Sequence, residues 1–146
     1  MKIAIIGYSG AGKSTLAEKL SNYYSIPKLH MDTLQFQPGW QDSDREWMLT
    51  EMKNFLTKQE SWVIDGNYSW CFYEERMQEA DQIIFLNFSP WTCLFRAFKR
   101  YLTYRGKVRE SMAAGCPERF DWEFIRWILW DGRTKTAKER YQRVQE

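Results

Sequence analysis

Eight consecutive residues carry the first chemical signal in this sequence: Gly7-Tyr8-Ser9-Gly10-Ala11-Gly12-Lys13-Ser14, which meets the pattern G-x-x-x-x-G-K-[ST] at every defined position. In that pattern successive backbone N–H groups converge on phosphate oxygens, and glycines stand where a β-carbon would block the turn or the ligand. The Lys13 ammonium is expected to reach the β- and γ-phosphates of a nucleoside triphosphate, and the Ser14 hydroxyl to meet Mg²⁺. Gly7, Ser9, Gly10, Ala11, Gly12, Lys13, Ser14 and Thr15 are therefore the candidate nucleotide-binding residues, with ATP and Mg²⁺ as the implied cofactors. A helix starting near Lys13 would add its positive dipole end to the same place.

Such a loop works only between a strand and a helix, and the flanking residues have the right periods. Residues 2–6 form a short β-branched apolar run suited to a buried parallel strand, and residues 13–24 carry Leu16, Ala17 and Leu20 at helical spacing. A second strand is predicted at 28–31, a turn at Pro38-Gly39, and a helix over 44–58 with Trp47, Met48, Met52 and Phe55 on one face. Strands at 62–64 and 82–86 follow, then a helix opened by Pro90 and carrying Leu94, Phe95, Phe98 and Leu102. Alternation of this kind predicts crossovers and a parallel sheet, hence an α/β fold in a single domain spanning 1–146. Residues 104–120 are rich in Arg, Gly and small residues, as a mobile lid would be. An aromatic helix over 121–130, whose Trp122, Ile125, Trp127 and Leu129 read as a face for the sheet or a partner chain, and a polar helix over 133–145 complete the chain.

Composition narrows the class. No run approaches the ~18 consecutive apolar residues that cross a bilayer, and the brief apolar start runs straight into the glycine motif, which predicts a cytoplasmic protein with no membrane partner. Cys71, Cys93 and Cys116 are odd in number and widely separated, which favours buried thiols over disulfides or a structural metal. Residues 1–90 hold 8 Lys/Arg against 12 Asp/Glu, whereas 91–146 hold 13 against 7. That asymmetry favours a polyanion at the second half, and nucleotide phosphates and nucleic acid both qualify. No asparagine is followed by lysine, so the Asn-Lys-x-Asp segment of guanine-nucleotide switches is absent, as is the Ser-Gly-Gly signature of transporter ATPases. A small phosphotransferase remains.

Three segments carry a resemblance: the run 5–17 around the glycine motif, His30-Met31-Asp32-Thr33-Leu34 followed by Pro38-Gly39-Trp40, and Trp62-Val63-Ile64-Asp65-Gly66-Asn67-Tyr68. Across nearly its whole length the chain resembles the small P-loop kinases related to adenylate, shikimate and gluconate kinases, and within them the bacterial DNA topology modulation proteins. The resemblance implies a three-layer α/β/α fold with parallel strands in the order 2-3-1-4-5, an acceptor region after the second strand, and an arginine-bearing lid. Here the fifth strand is missing, which leaves an order of 2-3-1-4 and either a shortened chain or an edge covered by another copy, so that a homodimer is admitted.

Asp32 follows the second strand, where the resemblance places an acidic residue that orients or deprotonates an acceptor hydroxyl; an N-cap or loop carboxylate is the plainer alternative. Asp65 closes the third strand and could hold Mg²⁺ through water, although Asp-Gly is also a common turn pair. Asp32, Trp40, Asp65 and Asn67 are the candidate acceptor-side residues, with Ser14 and Asp65 for the metal. Planar guanidinium groups suit the charge spread over a transferring phosphoryl group. By resemblance Arg96 or Arg100 lies near adenine and phosphate, and Arg109 is a lid arginine, which joins Lys13 and Asp32 as a candidate for the chemistry. The predicted activity is ATP-dependent phosphoryl transfer to a small acceptor. The rival is a nucleotide-binding regulator acting on DNA, for which no helix-turn-helix or zinc module is found.

Overall fold

In the computed structural model, which describes residues 1–145, four short apolar runs become parallel strands because crossover helices cover both faces. β1 (Lys2–Gly7) leads through the glycine loop into α1 (Lys13–Tyr24), and β2 (Lys28–His30) follows. The next segment holds a short helix, α2 (Met31–Gln35), and a hairpin of β3 (Phe36–Gln37) and β4 (Gln41–Asp42) around Pro38-Gly39-Trp40. Then come α3 (Arg45–Lys58), β5 (Trp62–Asp65), α4 (Tyr73–Glu79), β6 (Gln82–Leu86) and α5 (Pro90–Tyr104). An irregular segment, 105–121, precedes α6 (Trp122–Leu129) and α7 (Lys135–Gln145).

The sheet runs β2-β5-β1-β6, which is the expected 2-3-1-4 order when the four sheet strands are counted along the chain. Among the described residues β6 forms one edge. Side chains alternate across the sheet with period two. Ile3, Ile5 and Val63 pack with Ala17 and Leu20 of α1, while Ala4, Trp62 and Ile64 face the other way onto Met48 and Met52 of α3. Ile6 joins a third cluster with Cys93 and Ala97 of α5, Ile128 of α6 and Tyr141 of α7. This confirms an α/β fold with helices on both faces of a parallel sheet.

The expected turn at Pro38-Gly39 is present, as the tip of a two-stranded hairpin. Sequence periods missed α2 and α4, helices of five and seven residues, too short to show a full amphipathic period. On α6 the predicted face packs against this chain only in part: Trp122 is 67% and Trp127 49% exposed, and Ile128 is the buried residue. On α5 the small residues Cys93 and Ala97 face the core, whereas Phe95, Phe98 and Leu102 are exposed. Helices lying close against a sheet take small side chains on the contact side, a preference that hydrophobic spacing does not reveal. All three cysteines are buried and free, as expected.

Candidate functional site

Side chains cap the amino termini of four helices: Asp44 accepts from Trp47 N on α3, Ser89 from Thr92 N on α5, Asp121 from Phe124 N on α6, and Thr134 from Ala137 N on α7. The start of α1 differs. Its N-cap is Gly12, which has no side chain to offer, so first-turn N–H groups are left for a ligand. Gly10 has φ +79°, and a β-carbon there would lie 2.5 Å from the carbonyl oxygen of Cys93. Gly12 has φ +98° and faces open space, its nearest neighbour for a β-carbon being Arg96 Nη1 at 3.9 Å. One glycine is thus demanded by the protein's own packing, the other by backbone conformation and free access.

Lys13 Nζ donates to Gly7 O at 3.0 Å and Tyr8 O at 3.1 Å, so the ammonium lies across the mouth of its own loop. Burial pushes its pKa below the usual lysine value, while Asp32 and Asp65 pull it back upward. Gly7 is held from the far side by Asn67, whose Nδ2 donates to Gly7 O (2.8 Å) and whose Oδ1 accepts from Gly7 N (3.0 Å). Asn67, for which the sequence predicts an acceptor contact, therefore spends its amide as a two-pronged clamp on the start of the loop. Buried Tyr141 adds a third, longer bond to Gly7 O at 3.4 Å.

Sheet register builds the next layer. His30 of β2 and Ile5 of β1 are both Cα partners of Asp65 on β5, so the carboxylate emerges at the strand ends beside the loop. Ser14 Oγ donates to Asp65 Oδ2 at 2.9 Å, and His30 Nδ1 lies 2.5 Å from Asp65 Oδ1. A serine hydroxyl and a carboxylate are the hard oxygen donors that suit Mg²⁺, an ion commonly bound through one or two carboxylates plus substrate phosphates. Among the described residues no group of three or more His, Cys, Asp or Glu is placed to hold a metal ion.

Asp32 lies in the first turn of α2, where its Oδ1 accepts from Tyr68 OH. Burial and the charge of Asp32 both raise the Tyr68 pKa, so this phenol stays a donor at every ordinary pH. Tyr68 and Asn67 belong to one loop, 66–72, organised by Arg76. That side chain is 0% exposed, and its guanidinium donates to the carbonyls of Gly66, Tyr68, Cys71 and Phe72. Desolvation lowers its pKa to about 10.

Arginines close the other side. Arg96 Nη1 donates to Ala11 O at 2.9 Å, with its guanidinium 4.1 Å above the Phe88 ring. Arg100 Nε and Arg109 Nε both donate to Glu118, at 2.5 and 2.6 Å, and that carboxylate is 5% exposed. Burial and then the nearby charge of Arg109 lower the Arg100 pKa. Segment 105–121 also docks on the β3–β4 hairpin: Gly39 N donates to Gly115 O at 2.9 Å, and the Arg119 guanidinium sits 5.5 Å over Trp40.

These pieces surround one cleft of about 1300 Å³. Its lining includes 9–15 of the loop, Asp32, Trp40, Asp65, Asn67, Arg96, Arg100 and Arg109, so every candidate side chain faces it, while Gly7 lies beneath as the loop's anchor. Sequence reasoning missed Tyr68, Arg76, Glu118 and the bond from Trp127 Nε1 to Ser9 Oγ (3.0 Å). Arg76 and Glu118 have no local signal, since a buried charge is recognisable only once its surroundings are known. Arg133 is structural: it donates to Phe88 O and Ile128 O and stacks 3.8 Å over Tyr8.

Neither a protein-family model nor a curated protein matches the chain. Among solved structures, a deoxyadenosine kinase from M. mycoides aligns over 98% of this chain and 84% of its own at 18% identity and TM-score 0.50. A gluconokinase from Sinorhizobium meliloti 1021 aligns over 97% and 96% at 20% identity, also with TM-score 0.50. An uncharacterized protein from Eubacterium ventriosum ATCC 27560 aligns at 23% identity and TM-score 0.46, where this chain spans 61% of that protein's length and 68% of its own. At these identities the likeness to the two kinases shows the fold alone, α/β with a mainly parallel sheet. No described helix is long and apolar enough to cross a membrane.

Proposed function

We propose that this protein is an ATP- and Mg²⁺-dependent phosphotransferase that acts on a small hydroxyl- or phosphate-bearing acceptor. The observation that carries the reading is the convergence, in one cleft, of a glycine-shaped loop with Lys13 and Ser14, a carboxylate on Ser14, three arginines, and a second carboxylate, Asp32, on the far side. Main-chain N–H groups of 9–15 bind the phosphates, Lys13 leaves its carbonyl partners for β- and γ-oxygens, and Ser14 with Asp65 holds the cation, which supplies charge neutralisation at the phosphates when bound. Arg96, Arg100 and Arg109 offset negative charge on the transferring group, and segment 105–121 serves as the lid that excludes water. Asp32 accepts the acceptor's proton through the carboxylate oxygen that Tyr68 does not occupy.

The acceptor end supports a ligand with a flat face, because Phe36, Trp40, Tyr68 and Trp70 line the cleft around Asp32. Nucleosides, nucleotides and sugars meet that description. Arg96, Arg100, Arg109 and Arg119 come from the basic second half and face this cleft, so phosphate binding accounts for much of the charge asymmetry without nucleic acid. A coupled assay of ADP release over a panel of nucleosides, nucleoside monophosphates, sugars and polyols should give acceptor-stimulated turnover. Asp32→Asn should cut kcat about 10²- to 10⁴-fold while ATP affinity stays within about threefold. A flat response over the panel, from protein that binds ATP, would transfer the reading to a nucleotide-binding regulator.

A further inference from the structure

His30 is 5% exposed, and its two ring nitrogens are treated very differently. Nδ1 meets Asp65 Oδ1 at 2.5 Å. Nε2 is buried without any hydrogen-bond partner, its nearest charged neighbour being Glu18 Oε2 at 3.8 Å, and Glu18 is itself engaged by Lys28. Asp65 Oδ1 is the accepting atom and His30 Nδ1 the donor in this bond, and Nε2 makes no hydrogen bond of its own. Leaving a buried polar atom unpaired costs free energy, and Nε2 brings no hydrogen bond to offset that cost. The imidazole therefore earns its place through the single bond on its other edge.

That bond has a geometric consequence. Asp65 Oδ1 is taken by His30 and Oδ2 by Ser14 Oγ, so the carboxylate is pinned from both sides, in a direction dictated by the β2–β5 register that pairs His30 with Asp65. Without the His30 bond the Ser14 hydroxyl is the one hydrogen bond left to restrain the Asp65 terminal torsion, which is broad in carboxylates. We propose that His30 is a positioning residue that holds the Asp65 carboxylate with one oxygen toward Ser14, and thereby sets the affinity of the site for a divalent cation. Outer-shell partners of this kind commonly change metal affinity by about 10- to 100-fold when removed.

The inference rests on the proposed nucleotide- and cation-binding reading, and the test separates the two. Mn²⁺ binding in the presence of ADP is followed by electron paramagnetic resonance for the wild type, His30→Ala, His30→Asn and His30→Gln, with ADP binding in EDTA measured by calorimetry and folding by circular dichroism. Asn places an N–H close to where Nδ1 stands, whereas Gln places it nearer Nε2. Expected results are Mn²⁺ affinity about tenfold weaker or worse for His30→Ala and His30→Gln, within about threefold of wild type for His30→Asn, and cation-free ADP affinity unchanged throughout. Equal Mn²⁺ affinity in wild type and His30→Ala overturns the inference, as does a uniform loss in all three folded variants. Absence of ADP and Mn²⁺ binding in the wild type would instead overturn the functional reading. Should His30→Ala fail to fold, the contrast between His30→Asn and His30→Gln decides.

Discussion

Gly10 and Gly12 stand two residues apart in one loop, and the structure assigns them opposite vulnerabilities. In Gly10→Ala the new methyl group meets the carbonyl of Cys93 at 2.5 Å, backbone that is anchored in α5. A left-handed non-glycine residue costs about 1–2 kcal/mol and overpacking a further 1–3 kcal/mol, so roughly 3 kcal/mol is expected in all. For a chain of this size that is a fall in Tm of about 6–12 °C. In Gly12→Ala the methyl group finds open space, 3.9 Å from its nearest neighbour, Arg96 Nη1, so only the backbone term of about 1–2 kcal/mol applies and Tm falls by roughly 3–6 °C. The methyl group then stands where phosphate must approach, and nucleotide affinity should drop at least tenfold. Differential scanning fluorimetry with and without ATP–Mg²⁺ reads both quantities. The reasoning fails if the two variants lose equal stability, or if Gly12→Ala keeps the wild-type ligand-induced rise in Tm.

Three further outcomes follow from contacts described above. Arg76→Met should destabilise the protein by about 3–5 kcal/mol in denaturant titrations, because four carbonyls of loop 66–72 lose a common donor and Asn67 and Tyr68 lose their support. Glu118→Gln leaves Arg100 and Arg109 close together with no carboxylate between them, so amide hydrogen exchange across 105–121 should quicken about tenfold or more while the central strands remain protected. Asp121 has its pKa lowered below 3.8 by its bond from Arg119, with the Phe124 N–H and the Arg119 charge assisting. Its stabilising effect is complete above that value and is lost as pH falls below it. Half-exposed and screened, it contributes about 1 kcal/mol or less, so the Tm advantage of wild type over Asp121→Ala should be a few degrees at pH 7 and vanish near pH 2.

Local chemistry made part of this molecule legible at once. The glycine spacing before Lys13-Ser14 and the β-branched runs at 2–6 and 82–86 are near-neighbour patterns, and loop and strands appear in the structure where they imply them, while the sheet order was implied by the family resemblance alone. Asp32, Asp65, Arg96, Arg100 and Arg109 all line one cleft, and the partner that orients each was invisible in the sequence. Periodicity could not say which side of α5 or α6 is covered, because exposed aromatic residues share the spacing of buried ones and only the neighbouring surface decides.

What tertiary structure alone decided is how the site is held. Asn67 reaches Gly7 across sixty positions and Glu118 joins Arg100 on a helix to Arg109 in a loop, while Arg76 collects four carbonyls from a nearby turn, a role that only its burial reveals. Residue types and short spacings specify which atoms can touch phosphate, since that chemistry is met within one turn of chain. The orientation of those atoms depends on hydrogen bonds between distant segments, and these come into existence only when parallel strand register brings the segments side by side.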